Sequence, residues 1–135
     1  MKFLVDTDYV VDYLKRREVA TKLLTTLAVD GLGISLITYG EIYEGILFGE
    51  NRARHEAAFR GFLRIADVVA LNRTTMRRFA QIRGDLRRTG EIIGDADILI
   101  AATAAHYDLT IVTRNRTHFE RIPDLKLYQT SSTGV

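Results

Sequence analysis

Carboxylates are the side chains in this sequence best suited to chemistry, and three of them hold informative positions. Asp6 directly follows the apolar run Phe3-Leu4-Val5, and Glu41 is expected in the first turn of the helix that follows Gly33–Ile37. Asp97 stands at the start of another helical pattern, Asp95–Tyr107, and Asn115 follows Leu109–Thr113. Carboxylates brought within a few ångströms of one another repel, and one is driven to hold a proton unless a cation intervenes. Mg²⁺ and Mn²⁺ take oxygen ligands, and Mg²⁺ typically uses one or two carboxylates while keeping several waters. Such a set of acids points to metal-assisted phosphate chemistry.

Each acid also has a purely structural reading. Asp6 suits the cap of the helix that follows it. Thr38-Tyr39-Gly40-Glu41 matches the capping box, in which the glutamate returns to the cap amide. Asp95 and Asp97 suit the first turn of a helix, where the dipole favours negative charge. Other catalytic chemistries are absent from the pattern. There is no cysteine, and His55, His106 and His118 lack the spacing of a zinc site. Neither a Gly-rich phosphate loop nor a nucleophile elbow occurs.

The elements that must position these residues alternate in type. Strands are expected at Phe3–Val5, Gly33–Ile37, Val68–Leu71, Leu109–Thr113 and Leu125–Tyr128. Helices are expected at Tyr9–Arg17, Val19–Asp30, Thr38–Phe48, Arg52–Ile65, Thr74–Thr89 and Asp95–Tyr107. The fourth of these buries Ala58, Phe59, Phe62 and Ile65; the fifth turns Met76, Phe79, Ala80 and Leu86 inward. Alternation of this kind implies an α/β domain with a mainly parallel sheet and helices on both faces. Ligands of such sheets bind beyond the carboxyl ends of the strands. Asp6, Glu41, Asp97 and Asn115 all fall there.

At 135 residues the chain fits one domain, over residues 1–130, with a loose tail at 131–135. The amino terminus meets Asp6 too early for a signal peptide, and no apolar run approaches bilayer length. Together with the missing cysteines, this makes the cytoplasm the expected location. The net charge is only +2, but Arg73, Arg77, Arg78, Arg83, Arg87 and Arg88 crowd one helix. That cluster reads either as a solvated face or as a contact surface for nucleic acid.

Four segments carry a family resemblance: Leu4-Val5-Asp6-Thr7-Asp8-Tyr9-Val10, Thr38-Tyr39-Gly40-Glu41-Ile42, Asp97-Ile98-Leu99-Ile100-Ala101-Ala102-Thr103-Ala104 and Leu109-Thr110-Ile111-Val112-Thr113-Arg114-Asn115. In order and spacing they resemble PIN domains, particularly the VapC toxins of toxin–antitoxin pairs. The resemblance implies a three-layer PIN-like fold and a metal-dependent endoribonuclease acting on RNA. It also implies a homodimer and a cognate antitoxin that inserts a segment near the acidic site. By this resemblance Asp6 and Asp97 correspond to Mg²⁺-binding acids (Mn²⁺ being the alternative) and Glu41 to a third catalytic acid. Asn115 and Arg114 become candidates for binding the substrate. Many relatives carry a further acid after the strand ending Val112-Thr113, where this chain offers Asn115 and His118, with Glu120 just beyond.

Two other readings compete. A catalytically inactive PIN-like interaction module would keep the fold without cleavage. A haloacid-dehalogenase-like phosphatase is imitated by Asp6-Thr7-Asp8, but that chemistry wants a lysine and none lies between Lys22 and Lys126.

Overall fold

The computed structural model describes residues 1–129; the expected tail at 131–135 lies outside the described residues. Apolar runs too short for helices become strands β1 (Phe3–Val5), β2 (Leu32–Ser35), β3 (Ala66–Val69), β4 (Thr110–Val112) and β5 (Lys126–Leu127). They form one wholly parallel sheet in the order β3-β2-β1-β4-β5. The helices are α1 (Thr7–Leu14), α2 (Glu18–Leu27), α3 (Leu36–Phe48), α4 (Arg52–Phe62), α5 (Arg73–Arg88), α6 (Asp95–Tyr107) and α7 (Arg116–Phe119). A short 3₁₀ turn, Ala28–Asp30, follows α2 and ends at Gly31, whose φ of +95° suits glycine.

β1 is central and all three of its residues are buried, as expected of a parallel strand covered on both faces. Phe3 and Val5 join Leu24, Ile42, Phe59 and Phe62 beneath α1–α4. Leu4 points the other way, into a second core with Leu86, Ile98, Ala101 and Phe119 under α5, α6 and α7. The three-layer α/β arrangement expected from the sequence is therefore present. Within α6, Ile98 and Ile100 through Ala104 are all buried, so its lack of amphipathic pattern reflects enclosure on several sides.

Several local expectations are corrected. β2 ends at Ser35, and α3 begins at Leu36 rather than Thr38. The cap is Ser35, whose Oγ accepts from the amides of Ile37 at 3.0 Å and Thr38 at 3.4 Å. Glu41 therefore lies in the second turn, and the capping-box reading of Thr38 and Glu41 fails. Two further errors are of helical phase. Ala58 and Ile65 are exposed, leaving Phe59 and Phe62 as the anchors of α4. In α5 the inward face is Thr75, Phe79, Ile82 and Leu86, while Met76 and Ala80 face outward.

Ser35 is fully buried and sets the phase with which α3 presents Glu41. Ser35→Ala is expected to lower unfolding free energy by about 1 kcal/mol, the usual worth of a serine cap. Urea denaturation of the two proteins measures this directly.

Candidate active site

The carboxyl edge of the sheet gathers residues from β1, β2, β4 and the start of α6. Asp6 leaves β1 with its amide donating to Val112 O at 2.9 Å, which locks it beside β4. Its side chain is buried, 5% exposed. Oδ1 accepts from the Thr7 amide at 2.7 Å, and Oδ2 accepts from Thr113 Oγ1 at 2.6 Å. Asp6 thus caps α1 and also faces the site. Burial pushes its pKa from 3.8 up to about 6; the Thr113 hydroxyl opposes that rise, and the charges of Asp8 and Asp97 add to it.

Glu41 is exposed and belongs to α3, but its Oε1 accepts from Thr7 Oγ1 at 2.7 Å. Thr7 Oγ1 also lies 3.0 Å from Thr38 Oγ1. With its single proton given to the carboxylate, Thr7 accepts from Thr38. The residue next to Asp6 therefore holds Glu41 against the same rim.

Asp97, in the first turn of α6, turns Oδ2 towards His118 Nδ1 at 2.8 Å. The same ring nitrogen stands 2.8 Å from the Asn115 side-chain amide. The adjacent carboxylate favours the tautomer with the proton on Nδ1, which donates to Asp97. Asp95 plays a different part: Arg83 of α5 donates to it through Nε at 2.8 Å. Of the three side chains in the loop after β4, His118 reaches Asp97, Asn115 reaches His118, and Glu120 instead pairs with Arg116 at 3.3 Å.

Arg114 is directed at α1. Its Nε lies 3.4 Å from Asp12 Oδ2 and 3.8 Å from Asp8 Oδ2, and its amide donates to Asp8 at 3.3 Å. Asp8 is raised in pKa by burial above all, and its Oδ1 is buried without a hydrogen-bond partner. Sequence reasoning missed the threonines Thr7, Thr38 and Thr113. All three stand in the motifs quoted above, but nothing in their spacing revealed the bonds of Thr7 to Glu41 or of Thr113 to Asp6.

Among the described residues no group of three or more His, Asp or Glu side chains stands together as a metal-holding cluster. The donor set nevertheless fits a hard divalent cation. It is dominated by carboxylate oxygens, and Asp6 is a buried acid destabilised by Asp97, a repulsion that a cation reverses. A groove of about 700 Å³ opens beside this rim between α1, α3 and α4. Val11, Leu14, Ile42 and Ile46 line it, with Thr7 and Glu41 also on its wall.

Comparison with known proteins identifies the family of the fold. The PIN domain model matches residues 3–125. Ribonuclease VapC1 of Methanocaldococcus jannaschii is 32% identical over 129 residues, covering 94% of this chain and 87% of that protein. The tRNA(fMet)-specific endonuclease VapC of Shigella flexneri is 29% identical, covering 93% and 96%. A chain of VapBC2 from Rickettsia felis, crystallised with a DNA fragment from its promoter, superposes with a TM-score of 0.90. The identity there is 26%, and 97% of this chain and 100% of that one are covered. An extent of match running from β1 almost to β5, with identity above 30% to a full-length relative, decides the matter: this chain belongs to the PIN domain family, beside the VapC ribonucleases.

Proposed function

We propose that this protein is a metal-dependent endoribonuclease, the toxin of a toxin–antitoxin pair, with Asp6, Glu41 and Asp97 as its catalytic acids. The observation that carries the reading is the buried Asp6 carboxylate, raised to about 6 and within electrostatic reach of Asp97 at the sheet's carboxyl edge. Its relatives named as ribonucleases and endonucleases supply the substrate class.

Asp6 and Asp97 would hold Mg²⁺ or Mn²⁺, directly or through water. Such an ion supplies Lewis acidity and neutralises charge on the scissile phosphate. The rest of the chemistry falls to the chain. Thr113 and the Thr7 amide fix both oxygens of Asp6, so that it presents its charge without rotating. Glu41, exposed and oriented by Thr7, accepts the proton of the attacking water. In-line attack on phosphorus then breaks the bond to O3′, leaving a 5′-phosphate and a 3′-hydroxyl. His118, itself held by Asn115, orients Asp97. Arg114, half exposed, has donors left for a substrate phosphate, and Asn115 shares that role.

The apolar groove beside Glu41 is the place for an antitoxin segment, which would cover the catalytic rim directly. Homodimeric assembly and a cytoplasmic location belong to the same reading. Among the described residues no helix is long and apolar enough to cross a membrane.

Purified protein mixed with RNA is expected to produce fragments with 5′-phosphate ends in Mg²⁺ or Mn²⁺ and none in EDTA. Asp6→Ala protein should produce none in either. Intact RNA with the wild-type protein under every metal condition would favour the inactive interaction module instead.

A further inference from the structure

We infer that the outer face of α5 is the docking surface for the RNA strand, a basic track that leads substrate to the acids. This rests on the ribonuclease reading above and adds the surface that reading lacks.

Helical geometry sorts the arginines of α5. Advancing 100° per residue, Thr75, Phe79, Ile82 and Leu86 fall on the buried side. Arg73, Arg77, Ala80, Gly84, Arg87 and Arg88 fall within about 100° of one another on the opposite side. All six are exposed. At 1.5 Å per residue the stripe runs about 22 Å, with an arginine pair at each end and a low centre between them. A shallow groove lined by Arg77, Ala80, Gln81, Gly84, Asp85 and Arg88 lies along it, with Asp85 held by Gln81 and Arg88.

Gly84 strengthens the case. A glycine inside an exposed helix is less favourable than alanine, because it loses more backbone freedom on folding. A Cβ placed there would meet nothing within 4 Å, so no packing demand accounts for it. What glycine and alanine do provide is a floor on which a nucleic-acid backbone can lie close between flanking guanidinium groups.

Charge concentrates on the same helix. α5 carries six arginines against one acid, Asp85, for a net of +5, whereas the whole chain nets +2, leaving −3 for all other residues. Among the described residues Arg73, Arg77 and Arg87 have no carboxylate at salt-bridge distance; Arg88 pairs with Asp85. Arg83 lies off the stripe and donates to Asp95, two residues before Asp97. That bond ties the carboxyl-terminal half of α5 to the start of α6, where the catalytic rim begins. The stripe lacks the aromatic and apolar anchors of a protein interface core. Planar guanidinium forks over a flat floor suit a phosphate backbone.

Fluorescence anisotropy with a labelled single-stranded RNA in EDTA reads binding without cleavage. Arg87→Gln/Arg88→Gln is compared with Arg60→Gln/Arg64→Gln, at the end of α4 and in the turn after it, a control in which one arginine of each pair has an intrahelical acid partner. The α5 pair is expected to weaken binding roughly tenfold or more and to reduce the slope of log K against log salt by about 1.4, at about 0.7 per lost phosphate contact. The α4 pair should leave the slope unchanged. Gly84→Glu keeps every arginine, should raise the melting temperature through helix propensity, and should still weaken RNA binding. Equal effects from both arginine pairs, an unchanged slope, or tighter binding of Gly84→Glu protein would overturn the inference. So would equal or tighter binding of duplex DNA. Wild-type protein that cleaves RNA in Mg²⁺ alongside any of these results would leave the ribonuclease reading standing and remove only the track; failure of cleavage itself would strike the former.

Discussion

Asp97→Asn protein is expected to cleave RNA roughly 10³-fold more slowly than wild type at saturating Mg²⁺, a loss of about 4 kcal/mol of transition-state stabilisation. The side chain is close to isosteric, and its place in the first turn of α6 is fixed by the apolar residues Ile98, Ile100 and Ala101 behind it. The fold should therefore survive. What disappears is one of the two charges proposed to hold the cation. The His118 contact at 2.8 Å survives only in altered form, because an amide oxygen accepts less strongly than a carboxylate. Removing the charge also takes away one of the influences that raise Asp6, so the metal-free variant should be no less stable than wild type. Single-turnover cleavage and thermal melting on the same preparation separate the two effects. Wild-type rates from a well-folded Asp97→Asn protein would discard Asp97 as a catalytic acid.

The sheet was legible because parallel strands leave plain traces. Phe3-Leu4-Val5 and Thr110-Ile111-Val112 are short apolar runs, each ending next to a polar residue, and both became neighbouring strands. The position of the acids followed from that topology alone. Boundaries failed where apolar residues continued across an element junction. Leu36 and Ile37 look like more strand, but the serine before them satisfies two helix amides, and hydrogen bonding outweighed the apolar pattern. Phase failed in α5 because Met76 and Ala80 are apolar without being buried, while the polar Thr75 is enclosed and bonded to Asn72. The threonines around the acids were beyond sequence reading for a different reason. Threonine occurs throughout the chain, and Thr113 acquires its role only because β1 and β4, 107 positions apart at that contact, lie side by side. His118 was visible as a departure from the family pattern, but its contact with Asp97 depends on the turn of α7.

Metal-free protein should lose stability as pH rises, and Asp6 should account for much of the loss. Burial, first among the causes, holds its carboxyl at about 6 against an ordinary value of 3.8. The folded state then binds the proton more tightly than the unfolded one. Its contribution is fully present below 3.8 and is lost as pH climbs through about 6. Over that interval the cost is about 3 kcal/mol. Asp8, also raised chiefly by burial, acts with the same sign. Comparison with Asp6→Asn isolates the Asp6 share: the variant should show a flatter dependence in EDTA and greater stability near pH 7.5. A divalent cation must compete with the same proton, so Mg²⁺ should raise the wild-type midpoint more at about pH 7.5 than at about pH 5. At a hundredfold excess over its dissociation constant the gain is about 2.7 kcal/mol. In Asp6→Asn protein that gain should largely vanish. A wild-type pH slope retained in the variant, or an equal response to Mg²⁺ in both proteins, would mean that Asp6 neither carries the buried charge nor meets the cation. At a pKa of about 6 the Asp6 carboxylate is largely ionised by neutral pH at a cost to the fold, and a cation bound between it and Asp97 would offset that cost.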